Sequence, residues 1–199
     1  KPFFAYITTN APHGPFIAPP ASRKRFEDMG FEAKTAGFYG MIENIDDNVG
    51  RLMTQLEAWD LHRDTVIIFM SDNGPNSWRY NGGMRGRKGV TDEGGVRSPF
   101  LIQWKGTIPE GKKVVEIAGA IDVLPTLAQL AGITTFTKKP LDGKNLGALL
   151  LNESPSWSDR LIFNYWNNKT SVRSQHYRLD HENHLYNIAK DRGQTKDLS

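Results

Sequence analysis

The hydrophobic pattern predicts that strands and helices alternate in the first part of the chain. Residues 3–9 and 66–71 are short runs rich in aromatic and β-branched side chains, which is typical of buried strands. Between them, hydrophobic residues recur at steps of three and four from Phe38 to Leu56, which predicts a helix of about 20 residues with one apolar stripe. This order of strand, helix and strand favours a parallel crossover unit.

The pattern continues differently towards the C-terminus. Ser98–Trp104 is predicted as a further strand, and Ile121–Ala131 as a second helix that ends at Gly132. We expect residues 3–8, 66–71 and 99–104 to belong to one large parallel sheet. From Leu161 onward, short hydrophobic segments alternate with polar turns, and this texture predicts a small antiparallel sheet that closes the chain.

Residues 72–97 form a long connection that is dense in Gly, Arg, Asn and Asp and has almost no apolar periodicity. Connections longer than about 12 to 15 residues inside compact domains are usually functional or disordered. The loop is therefore the first place to look for chemistry.

Composition excludes several classes of protein and site. The 199 residues carry 25 Lys and Arg against 22 Asp and Glu, a formal charge of +3, and this near-neutral balance gives no reason to expect a nucleic-acid partner. The longest apolar run, Val66–Met70, is far shorter than the ~20 residues that cross a bilayer, so no transmembrane segment is expected. The absence of cysteine rules out disulfides, zinc–thiolate sites and a cysteine nucleophile within these residues.

The segment Ser71-Asp72-Asn73-Gly74 follows a predicted buried strand, which is where open α/β sheets place their ligands. A carboxylate beside a carboxamide offers two hard oxygen ligands, which suit Ca²⁺ or Mg²⁺ better than a soft metal. Asp-Asn-Gly is also a common turn sequence, so a turn without metal remains open at this point.

Two further segments contain candidate chemistry. His13 lies in a proline-rich loop, where its imidazole either serves a reaction or satisfies the loop backbone. A lone lysine such as Lys88 is most often a solvated charge, but the run of glycines and cations over residues 82–89 also suits a phosphate- or sulfate-binding loop, although it matches neither G-x-x-x-x-G-K-S/T nor G-x-G-x-x-G. Asp46, Asp47 and Arg51 are interpreted as a solvated helix face.

Together, these segments resemble the sulfatase family, in the family's order and over nearly the whole chain. The tail Leu185-Tyr186-Asn187-Ile188 with Asp191 is similar to the closing strand of that family, which usually reads Leu-Tyr-Asp-Leu followed by Asp-Pro. The other segments that carry the resemblance are Ala11-Pro12-His13-Gly14-Pro15, residues 46–52, Ser71-Asp72-Asn73-Gly74, Gly86-Arg87-Lys88-Gly89 and residues 93–99.

The resemblance implies a fold, a cofactor and site residues. The fold is the C-terminal part of an alkaline-phosphatase-like α/β/α sandwich, and the activity is hydrolysis of sulfate esters with a divalent cation, Ca²⁺ or else Mg²⁺. Asp72 and Asn73 match two metal ligands of the family. Lys88 matches the lysine that binds the sulfate and stabilises the leaving oxygen, and His13 matches the histidine that contacts the sulfate and can protonate that oxygen.

Substrate-binding residues are also expected in the long loop. Trp78 and Arg79 follow the metal motif and can line the pocket, and an aromatic ring beside a guanidinium suits a sulfated sugar as well as a sulfated small molecule.

The family nucleophile has no counterpart in these residues. It is a formylglycine made from Cys or Ser in a Cys/Ser-x-Pro-Ser-Arg motif, which does not occur here, and the first Asp-Asp pair of metal ligands has no match either. In the family these features precede the position that matches Lys1. We therefore expect residues 1–150 to be the C-terminal part of the sulfatase core, residues 151–199 to be a small antiparallel-sheet subdomain, and the chain alone to be inactive without its missing N-terminal half.

Two alternatives stay open on sequence alone. One is a phosphonate or phosphodiester hydrolase of the same superfamily, and the other is a non-catalytic binding or assembly module derived from a sulfatase. Burial of the exposed strands is expected to come from the missing half or from an oligomer. The resemblance also implies a periplasmic, lysosomal or secreted location.

Overall fold

The computed structural model describes residues 1–134, 139–151 and 157–199. These residues form two compact units, Lys1–Asp64 and Thr65–Ser199. The predicted boundary after residue 150 falls inside the second unit and stays a prediction, and residues 152–156 just beyond it lie outside the described ranges.

The first unit is built from two helices, α1 (Pro20–Asp28) and α2 (Ala33–Ala58). The apolar stripe correctly predicted α2, although the helix is longer than its stripe, and α1 is a helix that the sequence analysis left unassigned. α2 packs closely against residues 16–23 because Gly37 and Gly40 lack side chains. A Cβ on Gly37 would lie 2.4 Å from the carbonyl oxygen of Phe16. Phe16 and Phe38 pack edge to face across this contact, with ring centroids 5.6 Å apart.

The predicted strand at residues 3–9 is wrong. Residues 1–10 are exposed and have no regular secondary structure. A strand exists through hydrogen bonds to a neighbouring strand, and the described elements of the first unit are both helices. The predicted parallel crossover through α2 is therefore also wrong.

The second unit begins with a two-stranded sheet of β1 (Ile67–Met70) and β2 (Phe100–Gln103). The strands are antiparallel, with Ile67 opposite Gln103 and Met70 opposite Phe100, so both strands were predicted but their parallel arrangement is wrong. The prediction that both faces of β1 are covered is also wrong, because Phe69 and Met70 are each 40% exposed.

The described part of this unit also contains four short helical segments. α3 (Glu93–Val96) lies between β1 and β2, and β2 is followed by a 3-10 turn at Ala120–Asp122, α4 (Val123–Leu130) and α5 (Gly147–Leu150). The turn and α4 together confirm the helix predicted at residues 121–131. The leucines of α5 form a small apolar core with Ile102, Ile108, Val114 and Trp157.

A buried ion pair joins the start of α4 to the chain that follows α5. Asp122 is completely buried, and its carboxylate accepts hydrogen bonds from the backbone N–H groups of Gly119 and Lys144 and from Arg160 Nη1, at 2.7–2.8 Å. A buried carboxylate that is satisfied this fully is costly to disturb.

The chain closes with a four-stranded antiparallel sheet of β3 (Ile162–Trp166), β4 (Lys169–Arg173), β5 (Tyr177–Leu179) and β6 (Leu185–Asn187), in sequential order. This sheet confirms the one predicted from the texture of short segments after Leu161. The chain is thus an α/β protein with a small antiparallel sheet at its C-terminus.

Candidate active-site loop

The Asp72-Asn73 pair lies immediately after β1, where the chain leaves the two-stranded sheet. Ser71 fixes this exit: its N–H donates to the carbonyl of Pro99 at 3.3 Å, and its own carbonyl accepts from Ser98 Oγ at 2.8 Å. The start of the loop is thereby tied to its end, since residues 98 and 99 lead into β2.

Gly74 brings the metal motif against the glycine-rich return of the loop. Its N–H donates to the carbonyl of Gly95 at 2.9 Å, and a Cβ on Gly74 would lie 1.9 Å from the carbonyl oxygen of Gly94. No side chain fits into so close an approach, which explains why glycine stands here.

The lysine motif, residues 86–89, lies in the same loop. The backbone N–H of Lys88 donates to the carbonyl of Pro75 at 2.9 Å. Lys88 is therefore held next to the segment that follows Asp72 and Asn73, so the structure brings two of the predicted motifs into one loop cluster.

The side chains at this cluster are available to a ligand. Asp72 and Lys88 are exposed and Asn73 is half-buried, and none of these three side chains forms a hydrogen bond or ion pair with another residue in the described ranges. A carboxylate and a carboxamide are hard oxygen donors of the kind that Ca²⁺ and Mg²⁺ prefer, and a Ca²⁺ ion takes six to eight oxygens where these two side chains supply two.

Trp78 and Arg79 lie on the same loop and are exposed. The guanidinium of Arg87, the neighbour of Lys88, lies 5.1 Å from the centroid of the Trp78 ring, in a cation–π contact. Arg87 was not among the predicted site residues. This contact places the aromatic candidate beside the lysine motif.

His13 belongs to the first unit and is exposed in the loop 11–15. Its backbone N–H donates to the carbonyl of Asn10, and its Nδ1 lies 2.9 Å from the carbonyl oxygen of Gly14. Nδ1–H is therefore the donor in the tautomer that satisfies this contact, and Nε2 takes no part in it.

The return of the loop is anchored by a buried ionic network that the sequence analysis did not foresee. Glu93 Oε2 lies 2.9 Å from Arg178 Nη2 on β5 and 3.3 Å from Arg173 Nε on β4. Arg178 Nη1 and Ser171 Oγ both donate to the carbonyl of Thr91, each at 2.7 Å. The sequence signal was weak, because Glu93 and Arg178 are 85 residues apart.

Charge and burial act in opposite directions on Glu93. Burial disfavours its ionised form, but the positive charges of Arg178 and Arg173 outweigh burial and lower the pKa of the Glu93 carboxyl below its ordinary value of 4.5. Glu93 is therefore ionised at neutral pH and serves as the central anion of the network.

A second group of potential metal ligands lies in the turn between β5 and β6 of the C-terminal sheet. Asp180, Glu182 and His184 place three ligand atoms within 4.8 Å of one another. None of these three residues was a predicted metal ligand.

Two family models match the chain. The Sulfatase model matches residues 1–133, and the model for the C-terminal part of N-sulphoglucosamine sulphohydrolase matches residues 87–192. Human arylsulfatase A is 36% identical over 170 residues, which is 82% of this chain and 31% of that protein. A sulfatase from Formosa agariphila is 31% identical over an alignment of 235 positions that covers the whole chain and 42% of that protein.

Solved structures agree with these matches. The crystal structure of Ps i-CgsB superposes with a TM-score of 0.84 at 30% identity, over 96% of this chain and 44% of that one. The PsFucS1 sulfatase from Pseudoalteromonas sp. superposes with a TM-score of 0.73 at 24% identity, over 90% of this chain and 40% of that one, and supports the fold alone.

The chain spans 25 to 42% of the length of the first curated relatives it matches. Among the described residues, no helix combines the length and the apolar character needed to cross a membrane. The match of the Sulfatase model to two thirds of the chain shows that this protein belongs to the sulfatase family.

Proposed function

We propose that this chain is the part of a sulfatase that binds the sulfate group and half of the metal shell, in an enzyme that hydrolyses sulfate esters. The observation that supports this most strongly is a pair of backbone hydrogen bonds: Lys88 to Pro75 joins the lysine motif to the segment after Asp72 and Asn73, and Gly74 to Gly95 joins that segment to the return of the loop. A chance Asp-Asn-Gly turn would not need a lysine loop closed against it.

Each residue then has a chemical role. Asp72 and Asn73 hold a divalent cation, Ca²⁺ or Mg²⁺, through hard oxygen ligands, and the bound cation supplies charge stabilisation for the sulfate oxygens. The Lys88 ammonium stabilises the negative charge that develops on the leaving oxygen as the S–O bond breaks. His13 contacts the sulfate and gives the leaving oxygen its proton.

The substrate is proposed to be a sulfated sugar. The exposed Trp78 ring offers a flat apolar surface, and Arg79 and Arg87 add positive charge beside it. Ps i-CgsB, a structural relative at 30% identity, has been solved in complex with k-i-k-neocarrahexaose, a carbohydrate by its name. N-acetylgalactosamine-6-sulfatase is also among the relatives, at 31% identity.

The nucleophile is proposed to come from a segment outside these residues. No Cys/Ser-x-Pro-Ser-Arg motif occurs in the 199 residues, and a formylglycine hydrate is the nucleophile that the family resemblance implies. The coding sequence ahead of Lys1 tests this part directly: a formylglycine motif there supports it, and a phosphodiesterase-type nucleophile contradicts it. We also propose a periplasmic, lysosomal or secreted location for the complete protein.

The activity is tested by a chromogenic aryl sulfate assay with added Ca²⁺ on the enzyme that joins this chain to its formylglycine segment. We expect Lys88→Ala to lower kcat/KM by about 100-fold or more, which is the usual effect of removing a group that stabilises the developing anion. Lys169→Ala, at an exposed lysine on β4, is the matched control and should leave kcat/KM unchanged. Equal activity of the two variants would contradict the role of Lys88.

The 199-residue chain alone provides the complementary measurement. It should show no turnover above its Lys88→Ala variant, and calorimetry should show weak Ca²⁺ binding that Asp72→Ala abolishes, because most oxygen ligands are missing. Tight Ca²⁺ binding that survives Asp72→Ala would show that the cation site lies elsewhere.

A further inference from the structure

The turn between β5 and β6 brings a compact set of metal-binding side chains together. Asp180, Glu182 and His184 alternate along five residues of this turn, and one carboxylate oxygen of each acid and a ring nitrogen of the histidine lie within 4.8 Å of one another. All three residues belong to the second unit, and none of them takes part in the proposed sulfate site.

The backbone of the turn fixes the orientation of Asp180. Its Oδ1 accepts the N–H groups of Glu182 at 2.8 Å and of His184 at 3.0 Å, and its own N–H donates to the carbonyl of His184. With Oδ1 occupied, Oδ2 is left 3.5 Å from His184 Nδ1.

Asp180 Oδ2 is a buried anionic oxygen without a hydrogen bond. The side chain of Asp180 is 1% exposed, and Oδ2 accepts no hydrogen bond in the described part of the chain. Arg85 Nη1 lies 3.7 Å away, within ion-pair distance but beyond hydrogen-bond length, and donates instead to the hydroxyl of Tyr186 at 2.9 Å. This ion pair offsets part of the charge but leaves the buried oxygen without the hydrogen bond or metal contact that a buried anion needs.

The spacing of the ligand atoms fits a small tetrahedral ion. Zinc bonds to oxygen and nitrogen ligands are about 2.0 to 2.2 Å long, so two ligands of a tetrahedral zinc lie roughly 3.4 Å apart. His184 Nδ1 lies 3.5 Å from Asp180 Oδ2 and 3.9 Å from Glu182 Oε2. Glu182 is exposed and can close the longer distance by a small side-chain movement.

The chemistry of the donors favours zinc over calcium. Calcium needs six to eight oxygens, whereas two carboxylates and one imidazole form a three-ligand zinc set with the fourth position left to water. The positive charge of Arg85 beside Asp180 opposes binding of a cation and should lower the zinc affinity.

We propose that Asp180, Glu182 and His184 bind one Zn²⁺ ion, which closes the β5–β6 turn and compensates the buried Asp180 oxygen. The site is distinct from the Asp72-Asn73 cation site and does not depend on the proposed sulfatase activity. A bound ion would crosslink residues of the hairpin whose strand β5 is tied to the loop 72–97 by the ion pair of Arg178 with Glu93.

The test is calorimetric titration of the 199-residue chain with ZnCl₂. We expect binding of one ion, and we expect Asp180→Asn, Glu182→Gln and His184→Gln each to weaken it by about tenfold or more. Asp180→Asn retains an oxygen acceptor for the two backbone N–H groups, and Glu182 is exposed, so these variants keep the turn folded, which circular dichroism confirms.

The matched control is His176→Gln, at an exposed histidine outside the turn, and it should bind zinc as the unaltered chain does. A zinc-induced rise in melting temperature that His184→Gln removes and His176→Gln keeps would support the site by a second measurement. No zinc binding, or equal binding by all four variants and the unaltered chain, overturns the proposal.

Discussion

The two faces of the C-terminal sheet carry opposite kinds of residue, in the reverse of the usual pattern. The inner face is buried and polar: Ser171, Arg178 and Tyr186 point towards the loop 72–97 and form hydrogen bonds with it. The outer face is exposed and apolar, with Phe163 at 66% and Tyr165 at 68% exposure. The strand register places these two sets on opposite sides of the sheet.

The difference shows what this sheet does in the molecule. Its inner face does not form a hydrophobic core. Instead, ion pairs and hydrogen bonds from this face hold the glycine-rich loop 72–97, which has little apolar surface of its own. An ionic anchor specifies one position of the loop more sharply than apolar contact does, because each bond has a direction. The outer face contributes little to holding the loop and leaves apolar area open to association.

The largest expected effect comes from breaking the inner face. Arg178→Met should destabilise the second unit by about 3 to 5 kcal/mol, because it leaves Glu93 buried with a weakened set of partners. Urea unfolding followed by tryptophan fluorescence measures this free energy. The double variant Arg178→Met with Glu93→Gln should lose less than the sum of the two single variants, and strict additivity would show that the pair is not coupled.

A smaller effect is expected where the loop packs backbone against backbone. Gly74→Ala places a Cβ 1.9 Å from the Gly94 carbonyl oxygen and should cost roughly 1 to 3 kcal/mol as the two loop segments separate. Gly50→Ala is the matched control, since its Cβ meets open space within helix α2 and alanine is favoured there. Equal stability of the two variants would mean that residues 74 and 94 do not approach as closely as described.

Acid should weaken the inner face selectively. The pKa of Glu93 is lowered in the folded chain, so the stability it contributes is fully present above its ordinary pKa of 4.5 and is lost as pH falls through the lowered value. The free energy of unfolding should therefore fall between pH 6 and pH 3 more steeply in the unaltered chain than in Glu93→Gln. Parallel pH profiles of the two proteins would contradict the charge assignment.

The smallest effect on folding is expected at the outer face. Phe163→Thr and Tyr165→Thr should change the free energy of unfolding by less than about 1 kcal/mol, because both side chains are already mostly in water. Light scattering should show self-association of the 199-residue chain and a reduction of it in the double variant. A monodisperse monomer near 22.4 kDa would show that the apolar surface is tolerated in water.

The local features of the molecule were readable from the sequence. The stripe of α2, the helix at residues 121–131, the strands at 67–70 and 100–103 and the closing antiparallel sheet follow from periodicity, which reports the burial of side chains along a single element. The site predictions for Asp72, Asn73, Lys88 and His13 rest on residue types and an order that match a family. The prediction for Trp78 rests on its place after the predicted metal ligands.

Pairing and long-range charge were decided by tertiary structure alone. Residues 3–9 have the composition of a strand, but composition does not supply the neighbour that a strand needs, and β1 and β2 pair antiparallel although either direction fits their sequences. Glu93, Arg178 and the Asp180 turn each consist of residues that are ordinary in isolation. Their role depends on which charged residue, distant in sequence, the fold buries beside them. A Coulomb interaction depends on distance in space, which hydrophobic periodicity does not encode.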